Sequence, residues 1–158
     1  MEWMTLVATL LGAVIAMGST LLVEARKDRR EAAGEWRRSR RELYGAYLGT
    51  LSQVRGELQL LILDRTPADA DRLVRARQSF AKCYELRYQL EVFAPRAVVE
   101  PALHYFRSVR RLRDEAGAGV VDGDVRCERA FVDVMEALAE VLDAMRLDTG
   151  TDALASAP

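Results

Sequence analysis

The hydrophobic and polar positions divide the chain into one long uncharged run and, further along, four amphipathic stripes. No charged residue occurs between Trp3 and Val23, and at about 1.5 Å per residue a helix of this length spans roughly 30 Å, the hydrocarbon core of a bilayer. A buried helix of a soluble domain is the alternative, but a chain of 158 residues has too little other sequence to surround it. The pattern therefore predicts a transmembrane anchor over residues 1–23.

Four stripes of apolar residues follow at spacings of three and four, which is typical of helices that bury one face. The stripes are Tyr44, Tyr47, Leu51, Val54, Leu58 and Leu61; Leu73, Ala76, Phe80, Cys83, Tyr84 and Leu90; Val98, Ala102, Tyr105, Val109 and Leu112; and Cys127, Phe131, Val134, Leu138, Val141 and Met145. Because the connections are short, consecutive helices should pack antiparallel. The predicted fold is all-α: a transmembrane helix followed by an antiparallel four-helix bundle over 42–148.

Capping residues predict the limits of the second helix. Thr66 is the expected N-cap, Pro67 suits the first helical position, and Asp69 adds a negative charge to the first turn. The helix should stop before Pro95, because proline disfavours helical geometry in the residue that precedes it.

The remaining boundaries follow from similar signals. The third helix should run from about Arg96 to Glu115, where two glycines follow closely. The fourth helix should open after Asp122 or Asp124, either of which is a good N-cap. Residues 149–158 are small or polar and lack periodicity, which predicts a disordered tail.

Residues 24–41 are predicted to form a basic juxtamembrane stalk helix, since they carry eight basic and four acidic side chains and lack proline. Only Glu2 is charged before the uncharged run, which disfavours a cleaved signal peptide. The positive-inside rule then places the N-terminus outside the inner membrane and the bundle in the cytoplasm. The residues that determine this topology are Arg26, Lys27, Arg29 and Arg30.

A second basic group lies beside Trp36 and can contact anionic lipid headgroups if the stalk tilts. This group consists of Arg37, Arg38, Arg40 and Arg41. Nucleic acid is a less favoured partner, because four acidic residues interleave with the basic ones and weaken the positive field. Membrane lipids are therefore the predicted partner of the stalk, and nucleic acid is not expected.

Small side chains recur every four residues within the uncharged run and form one stripe along the predicted helix. The stripe consists of Ala8, Gly12, Ala16 and Thr20. Such a stripe lets two transmembrane helices approach closely, which would make the chain a homo-oligomer. The alternative is that glycine and alanine are simply common in transmembrane helices.

The net charge of −1 conceals a gradient, because residues 120–158 carry three basic and nine acidic side chains. On the fourth helix, four acidic residues lie away from the apolar stripe and have few cations in reach along their own sequence. They are Asp133, Glu136, Glu140 and Asp143. This acidic ridge is either a solvated face or a docking surface for a basic protein partner.

Few residues suit catalysis or metal binding. His104 is the only histidine, without a nucleophile or an acid at a spacing that indicates a triad. Cys83 and Cys127 lie on apolar stripes, as ordinary core residues do. The acidic pairs Asp69 with Asp71 and Asp122 with Asp124 stand where helices begin, which favours capping. We therefore expect no enzymatic activity, no metal and no cofactor.

Two arginine features keep more than one interpretation. Arg87 falls at a position that the second stripe would make apolar, so it either pairs with an acid in the bundle or extends out to water. A cluster near the end of the third helix is either a solvated face or a docking patch. The cluster consists of Arg107, Arg110, Arg111 and Arg113.

Three segments carry a family resemblance: the RKDRR run after the uncharged span, the EWRRSRRELYGAY segment, and the FAPRAVVEPA turn between helices. Arginine also outnumbers lysine 21 to 2 and asparagine is absent, the bias of a GC-rich genome. The chain resembles uncharacterised small single-pass membrane proteins with a cytoplasmic helical domain from high-GC actinobacteria. The resemblance implies location and architecture, and no activity.

These patterns together predict a non-enzymatic scaffold or interaction module anchored in the bacterial inner membrane. The alternative is a membrane-associated effector or sensor, of the kind used in defence, that responds to a ligand or partner.

Overall fold

A computed structural model of the chain describes residues 34–64, 66 and 68–151. The chain divides into two units, Met1–Ser39 and Arg40–Pro158. Several predictions concern residues outside the described ones: the transmembrane helix with its stripe of small residues, residues 24–33 of the stalk with their basic side chains, Pro67, and residues 152–158 of the tail. The predicted start of the disordered tail is wrong, because the last helix continues to Thr149 and Gly150 caps it. Within the described residues, no helix is both long enough and apolar enough to cross a bilayer.

The described residues form five helices and no strand. The helices are α1 (34–63), α2 (Asp69–Ala81), α3 (Cys83–Phe93), α4 (Arg96–Gly117) and α5 (Val125–Thr149). The all-α prediction is therefore confirmed, and α2 and α3 together occupy the place of the predicted second helix.

The first stripe is buried along its whole length, from Tyr44 to Leu61. Within this stripe, the Tyr47 hydroxyl donates a hydrogen bond of 2.6 Å to the Ala102 carbonyl of α4 inside the core. A buried hydroxyl without a partner would be costly, so this bond fixes the register between α1 and α4.

The predicted second helix differs from the structure at its start and in its middle. Thr66 is not the N-cap: helix α2 begins at Asp69 after Ala68, and the Thr66 side chain donates to Asp64 instead. A single residue, Lys82, separates α2 from α3 and keeps helical dihedral angles of −63° and −19°. The end is as predicted, because Ala94 before Pro95 is extended with ψ 151°.

The buried face of α2 matches the predicted stripe at Ala76 and Phe80 and differs from it only at the first position. Leu73 is 37% exposed, whereas Arg72 is only 4% exposed. The Arg72 guanidinium donates to the Leu61 carbonyl at 2.6 Å and to the Asp64 carbonyl at 2.8 Å. The last carbonyls of a helix lack partners within it, so Arg72 caps the end of α1. This charge is therefore buried with hydrogen-bond partners, which the apolar pattern alone does not reveal.

Helix α4 is the centre of the bundle, because it packs against α2, α3 and α5. Its predicted stripe from Val98 to Leu112 is fully buried, and Phe106 adds an aromatic contact 5.0 Å from the ring of Phe80. At its end, Gly117 lies so close to α2 that an added Cβ would be 3.0 Å from the Leu73 side chain. A larger residue at this position would require the Leu73 side chain to shift by a few tenths of an ångström.

Helix α5 begins as predicted, with the Asp124 carboxylate accepting a hydrogen bond of 2.8 Å from the Arg126 backbone N–H. Its core face differs slightly from the predicted stripe. Ala130 and Ala137 are fully buried, whereas Phe131 and Leu138 are half-buried. The small side chains allow close approach of the neighbouring helix, and the larger ones flank the contact.

Cross-helix contacts give the direction of each helix. Asp148 of α5 binds Arg40 of α1, and Met135, earlier in α5, contacts Arg55, later in α1. These two helices therefore run antiparallel.

Helices α4 and α5 are also antiparallel, since His104 pairs with Glu140 and the later Arg111 pairs with the earlier Asp133. Helices α1 and α4 are consequently parallel, and both begin where α5 ends. This end of the unit, which carries Arg40, the turn over 93–96 and Asp148, is termed the proximal end. The opposite end, where α5 begins at Val125, is termed the distal end.

Candidate functional site

The predicted acidic ridge is only partly available for docking. Asp133 is half-buried, and its oxygens lie 2.8 Å from Arg111 Nη1 of α4 and 3.7 Å from Arg129 Nε of α5. The expectation that few cations reach the ridge is therefore wrong for this residue. Antiparallel packing of α4 along α5 supplies the arginine that the sequence of α5 lacks.

A second member of the ridge, Glu140, pairs with His104. Their atoms Oε2 and Nδ1 are 2.8 Å apart, and the two side chains are 56% and 54% exposed. The structure thus brings an acid to the histidine, although the two are 36 residues apart. An exposed pair of this kind contributes only about 0–1 kcal/mol because water screens it. The His104–Glu140 pair lies on the solvent-exposed surface of α4 and α5.

The remaining acids stand on a strip of α5 that also exposes apolar side chains. Val132 and Met135 are each 52% exposed, and the carboxylate of Asp143 lies 3.9 Å from Arg146. This strip, the α5 outer face, consists of Val132, Met135, Glu136, Ala139 and Asp143, all of which are exposed. The α5 outer face therefore presents both apolar and acidic groups to solvent.

Sequence reasoning missed the two large apolar members of the α5 outer face, Val132 and Met135. Met135 also accepts a hydrogen bond at Sδ from Arg55 Nη1 of α1, at 3.0 Å. The available signal is that Val132 and Met135 lie off the apolar stripe, on the same side of α5 as the acids. An apolar residue on a polar helix face is the informative exception to the usual pattern.

A groove of about 530 Å³ separates the second half of α1 from α2. Its residues combine an exposed leucine with charged and hydroxyl groups: Glu57, Leu60, Leu61, Asp64, Arg75, Gln78 and Ser79. Although burial acts to raise the pKa of Glu57, hydrogen bonds from Ser79 and Gln53 and the Lys82 charge hold it below its ordinary value. Glu57 therefore stays ionised at neutral pH, with Lys82 Nζ 3.5 Å away.

A smaller groove of about 370 Å³ lies between the end of α4 and the start of α5. Its three arginines are Arg111, Arg126 and Arg129. Arg126 pairs with Glu115 at 3.8 Å and with Asp124 at 3.2 Å, and the other two pair with Asp133. Each positive charge thus has an acid beside it, which leaves the groove without a strong field for an anion.

The structure distinguishes between the alternatives that the sequence leaves open for Arg87 and for the arginine cluster of α4. Arg87 Nε binds Glu91 of its own helix at 2.6 Å, and its guanidinium lies 5.3 Å from the ring centre of Phe106. This residue therefore pairs with an acid and packs on an aromatic ring.

Within the arginine cluster of α4, Arg113 donates to Asp114 at 2.9 Å and lies 4.9 Å from the ring centre of Phe80. Arg111 pairs with Asp133, as described above. Arg107 and Arg110 are exposed. The cluster is therefore divided between structural contacts and solvent.

Arg40 belongs to the predicted lipid-facing group, yet its guanidinium binds Asp148 at 2.9 and 3.0 Å. Tyr44 donates to the same carboxylate at 2.7 Å. Burial is the main cause that raises the pKa of Tyr44, and the hydrogen bond to Asp148 raises it further. The Tyr44 hydroxyl therefore stays protonated and remains a donor. Of the remaining members of the group, Arg37, Arg38 and Arg41 are exposed.

The two cysteines are buried and unbridged, which confirms their prediction as core residues. Burial raises the pKa of Cys83 to about 11 and also raises that of Cys127. Both thiols are therefore protonated at neutral pH and are poor nucleophiles. Within residues 34–64, 66 and 68–151, no group of three or more metal-ligating side chains is present.

Comparison of the chain with protein-family models, with curated proteins and with solved structures found no match. The resemblance to actinobacterial membrane-anchored proteins accordingly stays a prediction.

Proposed function

We propose that this protein is a non-enzymatic scaffold or interaction module, anchored by residues 3–23 in the inner membrane of a bacterium. The observation that carries the proposal is the division of the chain at Arg40. The unit that begins there has its own buried core. It follows a basic segment and an uncharged run of membrane-spanning length.

Under this proposal, the basic residues after the run keep the compact unit in the cytoplasm and leave the N-terminus outside. Full-length protein should remain in the membrane fraction after carbonate extraction. A reporter fused to the C-terminus should be active only in the cytoplasm. Recovery of the chain in the soluble fraction would overturn the anchor.

The docking surface in this proposal is the α5 outer face. Its exposed Val132 and Met135 offer apolar contact, and Glu136 and Asp143 favour a basic partner. Charge contributes mainly to partner choice and to the rate of association, so binding should weaken between low and physiological salt.

Crosslinking in cells tests this surface with a pair of matched variants. Val132→Asp places a charge in the α5 outer face, whereas Val74→Asp does the same on α2, where the valine is 51% exposed. Loss of one specific crosslinked partner in the first variant alone supports the proposal. An unchanged partner set, or equal loss in both variants, contradicts the α5 outer face as the docking surface.

Self-association of the anchor is a separate part of the proposal. The stripe of Ala8, Gly12 and Ala16 would allow close helix approach, and Gly12→Ile would hold two backbones apart. A membrane two-hybrid signal should therefore fall in this variant. A signal that survives would assign any dimer to another surface.

A ligand-responsive effector is the second candidate, and the groove between α1 and α2 favours it. The exposed Leu60 beside the ionised Glu57 would suit an amphipathic ligand with a positive group. Overexpression that is toxic in the parent and harmless in Leu60→Asp would support this function. Harmless overexpression of both chains would favour the scaffold.

A further inference from the structure

Met135 places a sulfur atom at the border between α5 and α1. Its side chain is 52% exposed, and Arg55 Nη1 of α1 lies 3.0 Å from its Sδ atom. A thioether sulfur is a weak acceptor with two lone pairs, so the bond to Arg55 leaves one lone pair for a reagent from solvent. The Met135 side chain is therefore open to small reagents in water, beside a positive charge.

The second methionine of the compact unit lies in a different environment. Met145 follows Met135 in the same helix, but it is 4% exposed and belongs to the core. The remaining methionines, Met1, Met4 and Met17, lie outside the described residues. Because oxidation of methionine follows exposure, Met135 and Met145 should differ strongly in their reaction with peroxide.

Arg55 is suited to bind the product of that reaction. Within residues 34–64, 66 and 68–151, no acid forms an ion pair with Arg55, and its guanidinium donates to the neutral sulfur of Met135. A sulfoxide oxygen is a stronger acceptor than a thioether, and hydrogen bonds from a charged donor are roughly twice as strong as neutral ones. The three rotatable bonds of methionine let this oxygen turn toward Arg55.

We propose that Met135 is an oxidation site whose sulfoxide is held by Arg55, with hydrogen peroxide or an organic hydroperoxide as the oxidant. A lone pair of Met135 Sδ bonds to one peroxide oxygen as the O–O bond breaks, and the sulfur is oxidised by two electrons. The transferred oxygen passes its proton to the departing hydroxide or alkoxide, which leaves as water or an alcohol. The contact between α1 and α5 is then a charge-assisted hydrogen bond from Arg55 to the sulfoxide oxygen.

Oxidation at this position changes the α5 outer face without loosening the bundle. It converts an apolar member of that face into a polar group, so a partner that packs on Val132 and Met135 loses part of its apolar contact. This regulation of docking rests on the proposed function of the α5 outer face. The oxidation site and its bond to Arg55 do not depend on that function.

The first measurement compares the two methionines in the purified full chain, treated with hydrogen peroxide at neutral pH. A protease that cuts after Glu136 separates them, and mass spectrometry follows the gain of one oxygen on each. Met135 should be oxidised faster than Met145 by a factor of roughly ten or more, because Met145 is buried. In concentrated urea the two rates should become equal. Equal rates in the native chain would overturn Met135 as the oxidation site.

The second measurement tests the bond to Arg55 through the urea midpoint before and after oxidation of Met135. In the parent the midpoint should stay constant or rise, whereas in Arg55→Ala it should fall, because the polar sulfoxide then lacks its donor. Arg55→Lys should keep part of the parental response. Arg107→Ala, which removes an exposed arginine of α4, is the matched control and should respond as the parent does. Equal shifts in the parent and in Arg55→Ala would overturn the role of Arg55.

The third measurement addresses docking and uses Met135→Leu, which keeps an apolar side chain but has no sulfur to oxidise. Peroxide should reduce crosslinking of the partner to the parent in cells and leave crosslinking to Met135→Leu unchanged. Equal crosslinking of the oxidised and untreated parent, with Val132→Asp still losing the partner, would overturn the regulation and leave the docking surface intact. If Val132→Asp also keeps the partner, the proposed docking function is overturned, while the first two measurements still decide the oxidation site.

Discussion

Arg40 and Asp148 are 108 residues apart in sequence, yet Arg40 Nη1 contacts both carboxylate oxygens of Asp148 at 2.9 and 3.0 Å. Their side chains are 21% and 16% exposed, so water competes only weakly for them. The Tyr44 hydroxyl adds a third hydrogen bond, at 2.7 Å. This cluster joins the start of the compact unit to the end of its last helix.

Removing the carboxylate of this cluster should destabilise the protein. Asp148→Ala leaves Arg40 and the Tyr44 hydroxyl without their shared acceptor, which should lower the free energy of unfolding by about 1–3 kcal/mol. Urea unfolding followed by circular dichroism measures the change. The control is Asp143→Ala, whose 75% exposed side chain lies 3.9 Å from Arg146, and its midpoint should barely move. Equal midpoints for the two variants would contradict the importance of the cluster.

Two valines of α5 that are two positions apart should differ in their response to the same substitution: one variant should unfold and the other should keep the stability of the parent. Val134 is fully buried and Val132 is 52% exposed. An unpaired buried charge costs several kcal/mol against a total stability of about 5–15 kcal/mol, so Val134→Asp should unfold the bundle. Val132→Asp should melt as the parent does. If both variants have the same melting temperature, the assignment of Val134 to the buried face of α5 is wrong.

Replacing a glycine on the open side of α1 should stabilise the fold. A Cβ added at Gly49 meets no atom within 4 Å, so Gly49→Ala should gain about 0.5–1 kcal/mol from better helix propensity. Calorimetry should then show a melting temperature raised by about 1–4 °C. Gly150→Ala should do the reverse, because Gly150 caps α5 with φ +68°. A lower melting temperature for Gly49→Ala would reveal a close neighbour on this side of α1.

The buried thiols should be unreactive and should make the fold sensitive to alkali. Burial raises the pKa of Cys83 from 9.0 to about 11, so the folded state favours the neutral thiol. Its contribution to stability is complete below pH 9.0 and is lost as the pH rises through about 11. The loss of stability over this interval should be smaller in Cys83→Ala.

Thiol labelling at pH 8 gives a second measurement on the same residue. The native chain should not react with a disulfide reagent until denaturant is added, whereas an added thiol in Val132→Cys should react at once. Rapid reaction of the native chain would show that the core opens easily.

The stripes of α1 and α4 could be predicted from the sequence because their large apolar residues recur without interruption. The burial of Arg72 at the start of α2 could not. A charged residue is expected outside, and only the free carbonyls at the end of α1 make Arg72 a buried residue. Those partners lie in another helix, so local periodicity contains no sign of them.

The candidate site was also predictable only where its features depend on one helix and not on contacts between helices. The acidic residues of α5 are evident in its sequence, but the arginine that neutralises Asp133 is Arg111 of α4. Which acids remain available therefore depends on the packing of two helices. The apolar contribution of Val132 was missed, although its position off the apolar stripe is visible in the sequence, and its 52% exposure confirms that position.

Because Arg40 of α1 and Asp148 of α5 meet at the proximal end, a force that pulls the start of the compact unit away from the end of α5 would separate these two helices from that end. Arg40 and Asp148 would part first, and the contacts beyond them would then break one after another, as a zipper opens. A unit pulled in this way yields at lower force than one whose contacts are sheared all at once. The compact unit should therefore withstand a load on the side of the bundle better than a force that pulls Arg40 and Asp148 apart.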